Sequence, residues 1–266
     1  MEEAGNETET EDTKNSTRAR VEDRRDRRVE KSVSPKGKLG RPTASIELVL
    51  EGILYVLSEG CSWRAIDRKE LSWNTVYKYF RKWCRRNAFE RLLNEFGPEL
   101  EPGWHFVDST HVKVHADGSN PAGGQAHQAV GRTKGGLNTK IHAVVNSQSN
   151  AIVIALSAGN EADISYAEAL VEDLPQGSVI VADKAYDSTA FRETVARKGS
   201  RTCIPSRSNR LAAPSYSKAI YRRRHRVENF FQKIKRFRRV ATRYDKLAES
   251  FLGFVCLSIF VIQITR

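Results

Sequence analysis

Three acidic residues occupy positions where a chain can place metal ligands. Asp108, in FVDST, lies within or at the end of an apolar strand, and Asp183, in VIVADKAYD, lies at the carboxyl end of another. Ligand groups in open α/β sheets gather beyond the carboxyl ends of their strands. A charged side chain there is costly unless it is paired or binds a metal. Either aspartate alone is equally typical of a turn or a cap, but the pair, with Glu228 on a later helix, indicates a site.

Glu228 is the one acidic residue in the basic segment YRRRHRVENFFQKIKRF, residues 221–237. At about 100° per residue, a helix over this segment gives Glu228 three polar neighbours on one narrow stripe. They are Tyr221, Arg224 and Lys235. A second stripe, rotated by roughly 110°, is apolar and predicts a face for the core. It consists of Val227, Phe230, Phe231, Ile234 and Phe237. The pattern predicts a carboxylate that holds a metal between cations that hold phosphates.

Such residues suit the cleavage and transfer of phosphodiester bonds. This chemistry needs an activated oxygen nucleophile, a stabilised leaving oxygen and neutralised phosphate charge. Two Mg²⁺ ions about 3.5–4 Å apart supply all three. Mg²⁺ takes hard oxygen ligands and keeps several waters, so a few carboxylates suffice and no histidine or cysteine is required.

The elements that would carry these residues form a mixed α/β sheet. HFVDSTHVKVHA, NTKIHAVVN and AIVIALSAG are typical of three strands in a meander. A helix in DISYAEALVEDL, with Asp163 as its cap, precedes a buried strand in SVIVADKAY. A helix ending at Gly199, a short strand in TCIPS, the basic helix and an apolar C-terminal helix follow. Helices on the faces of such a sheet, in this order, predict an RNase H-like fold.

A helical region precedes the sheet, over about residues 41–100. IELVLEGILYVLSEG has helical spacing and a stop at Gly60, and SWRAIDR is a short helix. LSWNTVYKYFRKWCRR predicts a longer helix capped by Ser72, with basic residues mainly off its apolar stripe. This pattern favours a helix-turn-helix-like DNA-binding domain, with a small bundle and a solvated basic face as the alternative. The basic residues are Lys78, Arg81, Lys82, Arg85 and Arg86.

The bulk composition favours a polyanionic partner. The 266-residue chain carries a net charge of +12, so nucleic acid is the first candidate and a membrane surface the second. The longest apolar run, FLGFVCLSIFVIQI, has fourteen residues, short of the roughly 20 that span a bilayer. Residues 1–40 are highly charged and predict a disordered arm without a signal peptide. The four separated cysteines indicate reduced, mostly buried residues.

The ordered motifs of the chain resemble one family. The spacing Y-x2-R-x3-E-x6-K, which begins at Tyr221, resembles that of the DDE transposases of bacterial insertion sequences, in the insertion-sequence-five group. Further stretches similar to that group extend over about residues 37–266. They are GILYVLSEGCSWRAID, NTVYKYFRKW, VDSTHVKVH, GRTKGGLNTKIHAVV, ADKAYDS, CIPSRSNR and ATRYDK. The charged arm departs from the family, whose members usually open with a Trp- and Pro-containing helical segment.

The resemblance implies roles for individual residues. It implies that Asp108, Asp183 and Glu228 are the catalytic, metal-binding triad for Mg²⁺ or Mn²⁺, in an RNase H-like catalytic domain over residues 101–266. Asp187 would cap the next helix, and Tyr186 would pack near the active site. The residues implied to contact transposon-end DNA are Tyr221, Arg224 and Lys235.

The resemblance also implies partners. They are double-stranded DNA, as terminal inverted repeats and as target, and a second copy of the chain in a homodimer on DNA. No membrane is involved, and the location is cytoplasmic, on the nucleoid. The Gly-rich basic loop GRTKGGLNTK, with Lys134 and Lys140, would follow a phosphate backbone, or would serve as a flexible hairpin entry.

The alternatives to a transposase that cuts and joins DNA are a catalytically silent, transposon-derived DNA-binding regulator and an RNase H-like nuclease without strand transfer. A pure binder has no need of three carboxylates at these positions, whereas only the family resemblance disfavours the nuclease. Zinc bound by His105, His111 and His115 is a weaker alternative than basic strand residues near DNA. Ser109 lacks a GxSxG elbow, which argues against a serine hydrolase.

Overall fold

The computed structural model describes residues 44–66, 71–121, 124–208, 210 and 214–265. The predicted charged arm, residues 1–40, lies outside the described residues. No helix in the described ranges is long and apolar enough to cross a membrane.

A single mixed sheet organises the part of the chain after residue 100. Its strands within the described ranges are β1 Trp104–Val114, β2 Gly131–Thr133, β3 Gly136–Val145, β4 Ala151–Ala158, β5 Val179–Val181, β6 Arg201–Cys203 and β7 Thr242–Arg243. The order across the sheet is β4-β3-β1-β5-β6, with β2 beside the start of β3 and β7 beside the end of β1. The first three are antiparallel and β1, β5 and β6 are parallel. This is the predicted RNase H-like arrangement, a meander followed by parallel strands.

Helices cover both faces of this sheet. The helices within the described ranges are α1 Ile46–Glu59, α2 Trp73–Arg85, α3 Ala88–Phe96, α4 Ile164–Leu170, α5 Thr189–Arg197, α6 Lys218–Tyr221, α7 His225–Ile234, α8 Arg238–Ala241 and α9 Ala248–Ile264. Helices α4 and α5 pack on the face that carries Val107 and Val144. Because side chains alternate along a strand, Asp108 and Thr110 lie on the opposite face, where α7 contacts β1.

The predicted apolar C-terminal helix is confirmed as a core element. Its buried residues extend from Ser250 to Ile259, and it packs against α2 and α3. Phe254 stacks on Phe80 with ring centroids 4.3 Å apart. A Cβ atom at Gly253 would lie 2.7 Å from Cys84 Sγ, so this close approach of helices requires glycine. The predicted domain boundary near residue 100 stays a prediction, and α9 packs on helices that precede it.

Local helix signals in the sequence are confirmed at three termini. Helix α1 ends before Gly60, which has φ of 66°, and α5 ends shortly before Gly199, which has φ of 67°. These left-handed conformations carry little steric cost in glycine. Ser72 caps α2, because its hydroxyl accepts a hydrogen bond from the Thr75 amide at 3.4 Å.

The prediction of one continuous helix over residues 221–237 is wrong. Helix α6 ends at Tyr221, a 3₁₀ turn spans Arg222–Arg224, and α7 ends at Ile234. Side-chain periodicity does not register such a change, because helix termini often tighten into 3₁₀ turns without altering which residues are apolar. The apolar stripe holds within α7, where Val227, Phe230, Phe231 and Ile234 are buried. Phe237 lies beyond α7 and precedes α8.

Candidate active site

The two strand aspartates lie side by side at one end of the sheet. In the parallel pair of β1 and β5, Phe106 is the register partner of Val181. Asp108 and Asp183 each follow two residues later, so both emerge beyond the same end of β5 and toward the same face. Burial raises the pKa of Asp108 to about 6, with Asp183 adding to the rise and Arg224 opposing it. A positive charge close to Asp108 would therefore stabilise its ionised form.

One guanidinium connects the strand acids to the helix acid. Arg224 Nη1 donates to Asp108 Oδ2 at 2.6 Å, and its Nη2 donates to Glu228 Oε1 at 2.5 Å. Burial opposes the charge on Arg224, but the carboxylates of Asp108 and Glu228 outweigh it and raise the pKa of Arg224. The side chain of Glu228 is 49% exposed, compared with 19% for Asp108. Two of the three predicted acids thus bind one cation supplied by the chain itself, and the third, Asp183, also favours its charge.

The chemistry of these donors suits a divalent metal ion, although their side chains do not converge on one position. Within the described ranges, no group of three or more His, Cys, Asp or Glu side chains converges on a common metal position. The carboxylate oxygens of Asp108 and Glu228 instead share Arg224. All available donors are hard oxygens, which Mg²⁺ and Mn²⁺ accept. Withdrawal of the guanidinium would leave carboxylates that need a cation.

The turn after Asp183 is held by ion pairs that the sequence pattern did not indicate. Asp183 accepts a hydrogen bond from the Ala185 amide at 2.8 Å. The prediction that Asp187 caps α5 is wrong, because Ser188 occupies the cap position. The buried Asp187 carboxylate instead accepts from Arg192 Nε at 2.9 Å and from Arg210 Nη1 at 2.7 Å.

Arg207 completes this clamp on the Asp183 turn. Its amide donates to Asp187 Oδ2 at 2.8 Å, and its guanidinium donates to the carbonyl oxygens of Lys184 and Ala185 at 3.1 and 2.7 Å. Although burial alone would raise it, the hydrogen bond from the Arg207 amide, with that from Arg192, lowers the pKa of Asp187. The CIPSRSNR motif therefore supplies cations that fix the ADKAYDS motif.

A second network lies behind Asp108. Asp163 stands at the cap position of α4, as predicted, but its side chain makes no capping hydrogen bond. Its Oδ1 instead accepts from Ser109 Oγ at 2.7 Å and from Lys140 Nζ at 2.8 Å. Tyr186 is buried and its hydroxyl has no hydrogen-bond partner in the described structure. Sequence reasoning missed the contact between Asp163 and Ser109, because it joins residues far apart in the chain.

The other signature residues line the same side of β1. Lys235, which follows α7, donates from Nζ to Thr110 Oγ1 at 2.6 Å and to the His111 carbonyl at 2.9 Å. Burial lowers the pKa of Lys235. Tyr221 packs edge-on against Tyr216 with ring centroids 5.6 Å apart, and its hydroxyl interacts electrostatically with Arg224. The structure brings Arg224 and Lys235 to β1, Glu228 to Arg224, and Tyr221 within electrostatic range of Arg224, despite the break between α6 and α7.

The predicted DNA-contacting cations separate into exposed and internal groups. Lys134 on the turn between β2 and β3 is exposed, as are Lys78 and Arg85 on α2. Lys82 is half-buried, with its ammonium 6.0 Å from the Tyr79 ring centroid. Arg81 instead pairs with Glu249 at 2.7 Å and contacts Ser250. Lys140 is buried and pairs with Asp163, and this placement argues against direct phosphate contact.

Two family models match the chain. A model described as "Transposase DDE domain" matches residues 105–261, and one described as "Putative transposase of IS4/5 family" matches residues 21–93. The chain is 34% identical over 123 residues to a putative transposase for insertion sequence element IS6501 from Brucella ovis, covering 46% of this chain and 95% of the relative.

Solved transposase structures were also compared with the chain. A piggyBac transposase synaptic complex with hairpin DNA aligns at 12% identity and a TM-score of 0.49, over 87% of this chain and 69% of that one. A pre-cleavage Mos1 transpososome aligns at 14% identity and a TM-score of 0.28, over 87% and 81%. The family model covers more than half of the chain. The chain belongs to the DDE transposases, of the IS4/5 type.

Proposed function

We propose that this transposase binds the terminal inverted repeats of its element, cuts DNA at the element's 3′ ends and joins those ends to target DNA with Mg²⁺ or Mn²⁺. The observation that carries the proposal is the bridge from Asp108 through Arg224 to Glu228, with Asp183 beside Asp108. Carboxylates from a strand and a helix that meet at one cation are the hard-oxygen donors that a metal-dependent phosphoryl-transfer site uses.

Asp108, Asp183 and Glu228 would hold the metal in this proposal. When bound, Mg²⁺ supplies an activated oxygen nucleophile, stabilisation of the leaving oxygen and neutralised phosphate charge. Asp108 and Asp183 emerge from adjacent strands, so they fix the position of the site. Glu228 lies in the first turn of α7 and has room to move because its side chain is half exposed.

Arg224 would exchange partners when DNA arrives. Its guanidinium donates one hydrogen bond to each of two carboxylates, and the oxygens of a phosphate can accept both of these donors. Transfer of Arg224 to the DNA backbone would release Glu228 toward the aspartates. Lys235 and Tyr221 flank this position and would contact the phosphates of the transposon end.

DNA would extend from the active site over exposed cations. Arg222, Arg223 and Arg236 are exposed near α7, and Lys134 is exposed at the turn between β2 and β3. Helix α2 exposes Lys78 and Arg85, which would bind the terminal repeat if this region is the DNA-binding domain. Because two ends must be joined together, we propose a homodimer on DNA. Cytoplasmic, nucleoid-associated action stays a prediction.

An assay with end DNA tests this proposal. The purified protein is incubated with a labelled duplex of its element's terminal repeat, a supercoiled target plasmid and Mg²⁺, beside Asp183→Asn as a control. We expect 3′-end cleavage and joined products from the parent only. Cleavage without joining would favour an RNase H-like nuclease, and binding without cleavage would favour a silent regulator. A scrambled duplex controls for recognition of the repeat.

A further inference from the structure

A polar network occupies the face of β1 opposite to Asp108. Its members are Ser109 on β1, Lys140 on β3, and Glu161 and Asp163 in the segment before α4. Neither the proposed metal site nor the proposed DNA surface uses these residues. We infer that Asp163, acting through Ser109, is a positioning residue that sets the orientation of the Asp108 carboxylate, an inference that rests on the proposed function.

Two hydrogen bonds, both donated by Ser109, connect Asp163 to Asp108. The Ser109 amide donates to Asp108 Oδ1 at 2.8 Å, and the Ser109 hydroxyl donates to Asp163 Oδ1 at 2.7 Å. Asp108 Oδ1 is therefore held by the backbone of the residue that Asp163 anchors. This leaves Asp108 Oδ2 to face Arg224 at 2.6 Å.

Lys140 keeps Asp163 charged and in place. Its ammonium donates to Asp163 Oδ1 at 2.8 Å and to the Glu161 carbonyl at 2.7 Å. Burial opposes ionisation of Asp163, but the hydrogen bonds from Lys140 and Ser109 lower its pKa. Lys140 is 6% exposed, and an unpaired charge there would be costly. The network is thus a buried, hydrogen-bonded support for Ser109.

The position of this network favours a functional role. Apolar residues on the same face of the sheet, including Val107, Val144 and Leu170, already attach α4 to the sheet. A buried ion pair adds little stability beyond such packing. Outer hydrogen bonds of this kind orient metal-ligating carboxylates, and their loss typically costs about 10–100-fold in metal affinity or activity. Asp163 has that relation to Asp108.

Two substitutions separate a positioning role from a structural one. Asp163→Asn removes the charge at the end of the network, and Ser109→Ala removes only the hydroxyl that connects Asp163 to β1. Mn²⁺ binding to each full-length protein is measured from the electron paramagnetic resonance signal of free Mn²⁺. Cleavage of end DNA is measured against Mn²⁺ concentration. Asp173→Asn is the control, because Asp173 is exposed and lies just after α4.

We expect Asp163→Asn and Ser109→Ala each to weaken Mn²⁺ binding about 10-fold or more, with unchanged melting temperature for Ser109→Ala and unchanged end-DNA affinity. High Mn²⁺ should restore cleavage, and the double variant should bind Mn²⁺ no more weakly than the worse single variant. Parental Mn²⁺ binding in Ser109→Ala, or additive effects in the double variant, would overturn the inference alone. A parent that binds no Mn²⁺ would overturn the proposed function as well.

Discussion

The strand side and the helix side of the active site are built differently. On the strand side, Asp108 and Asp183 each accept a hydrogen bond from a nearby backbone amide, and each stands in front of a network of buried ion pairs. On the helix side, Glu228 is 49% exposed and is held by Arg224 one turn before it. One half of the proposed metal site is thus fixed by the sheet, and the other half depends on a single exchangeable cation.

This difference indicates an order of assembly. Groups on rigid strands keep their geometry without a ligand, whereas a half-exposed side chain on a helix adjusts at low cost. We therefore expect the aspartates to provide the initial affinity for metal and Glu228 to join when DNA draws Arg224 away. In this proposal, premature cutting would be limited because the complete ligand set would form only on DNA.

Removal of a strand carboxylate should have the largest effect. Asp183→Asn is expected to lower end-DNA cleavage by at least about 10³-fold, since the metal supplies several kcal/mol of stabilisation to the reaction. Mn²⁺ binding should be lost, while end-DNA binding survives because the exposed cations are intact. Single-turnover cleavage and a gel-shift titration measure these effects, with Asp173→Asn as the matched control. Cleavage at the parental rate would remove Asp183 from the triad.

Loss of the ion pairs of Asp187, which hold the turn after Asp183, should have the second largest effect, on the free energy of unfolding. Asp187→Asn would leave Arg192 and Arg210 without their buried anion, at a cost of about 3 kcal/mol in the free energy of unfolding. The pKa of Asp187 is lowered in the folded protein, so its contribution is complete above the unfolded value of about 3.9 and declines as the pH falls through the folded value.

Chemical denaturation tests this prediction at two pH values. The stability difference between the parent and Asp187→Asn should be large at pH 7 and smaller at about pH 3. The exposed Asp173→Asn change should show neither effect. A difference that is independent of pH would mean that the packing of the turn, and not the charge of Asp187, is what the substitution disturbs.

The helix carboxylate should behave differently from the strand pair. Glu228→Gln is expected to lower cleavage by about 100-fold, because water can take the place of an exposed ligand. Mn²⁺ binding without DNA should stay within about threefold of the parent, since Glu228 pairs with Arg224 and the aspartates provide the initial affinity in this proposal. Electron paramagnetic resonance of free Mn²⁺ measures this binding. A Mn²⁺ affinity as weak as that of Asp183→Asn would contradict the proposed order of assembly.

The three carboxylates could be predicted from the sequence because strand periodicity and helical phase are local signals. FVDST places Asp108 within or at the end of one strand and VIVADKAYD places Asp183 at the end of another, and the register of β1 with β5 then makes them neighbours. The ion pairs and hydrogen bonds behind these carboxylates could not be predicted from the sequence. Asp187 meets Arg210, and Asp163 meets Ser109, across 23 and 54 residues of chain, and a single sequence carries no signal for such pairs.

The roles of cations were predictable only as a class. Composition indicates that basic residues will contact a polyanion. The sequence of GRTKGGLNTK, however, does not distinguish the exposure of Lys134 from that of Lys140. The pleat of β3 turns Lys140 into the interior beside Asp163, while Lys134 stays on the exposed turn. Burial, which depends on tertiary packing, decides which of two nearby lysines is available for DNA.

Substitution of these two lysines should have the smallest effect on DNA binding, and the two substitutions should differ in their effect on its salt dependence. Lys134→Ala should weaken end-DNA binding only a few-fold and reduce the slope of log affinity against log salt by about 0.9, the value for one phosphate contact. Lys140→Ala should leave that slope unchanged and instead lower the melting temperature, because Asp163 loses its buried partner. Fluorescence anisotropy from 50 to 300 mM salt measures the slopes. Equal slope changes in the two variants would mean that Lys140 leaves Asp163 when DNA binds, and would remove the distinction between a fixed strand side and an adaptable surface.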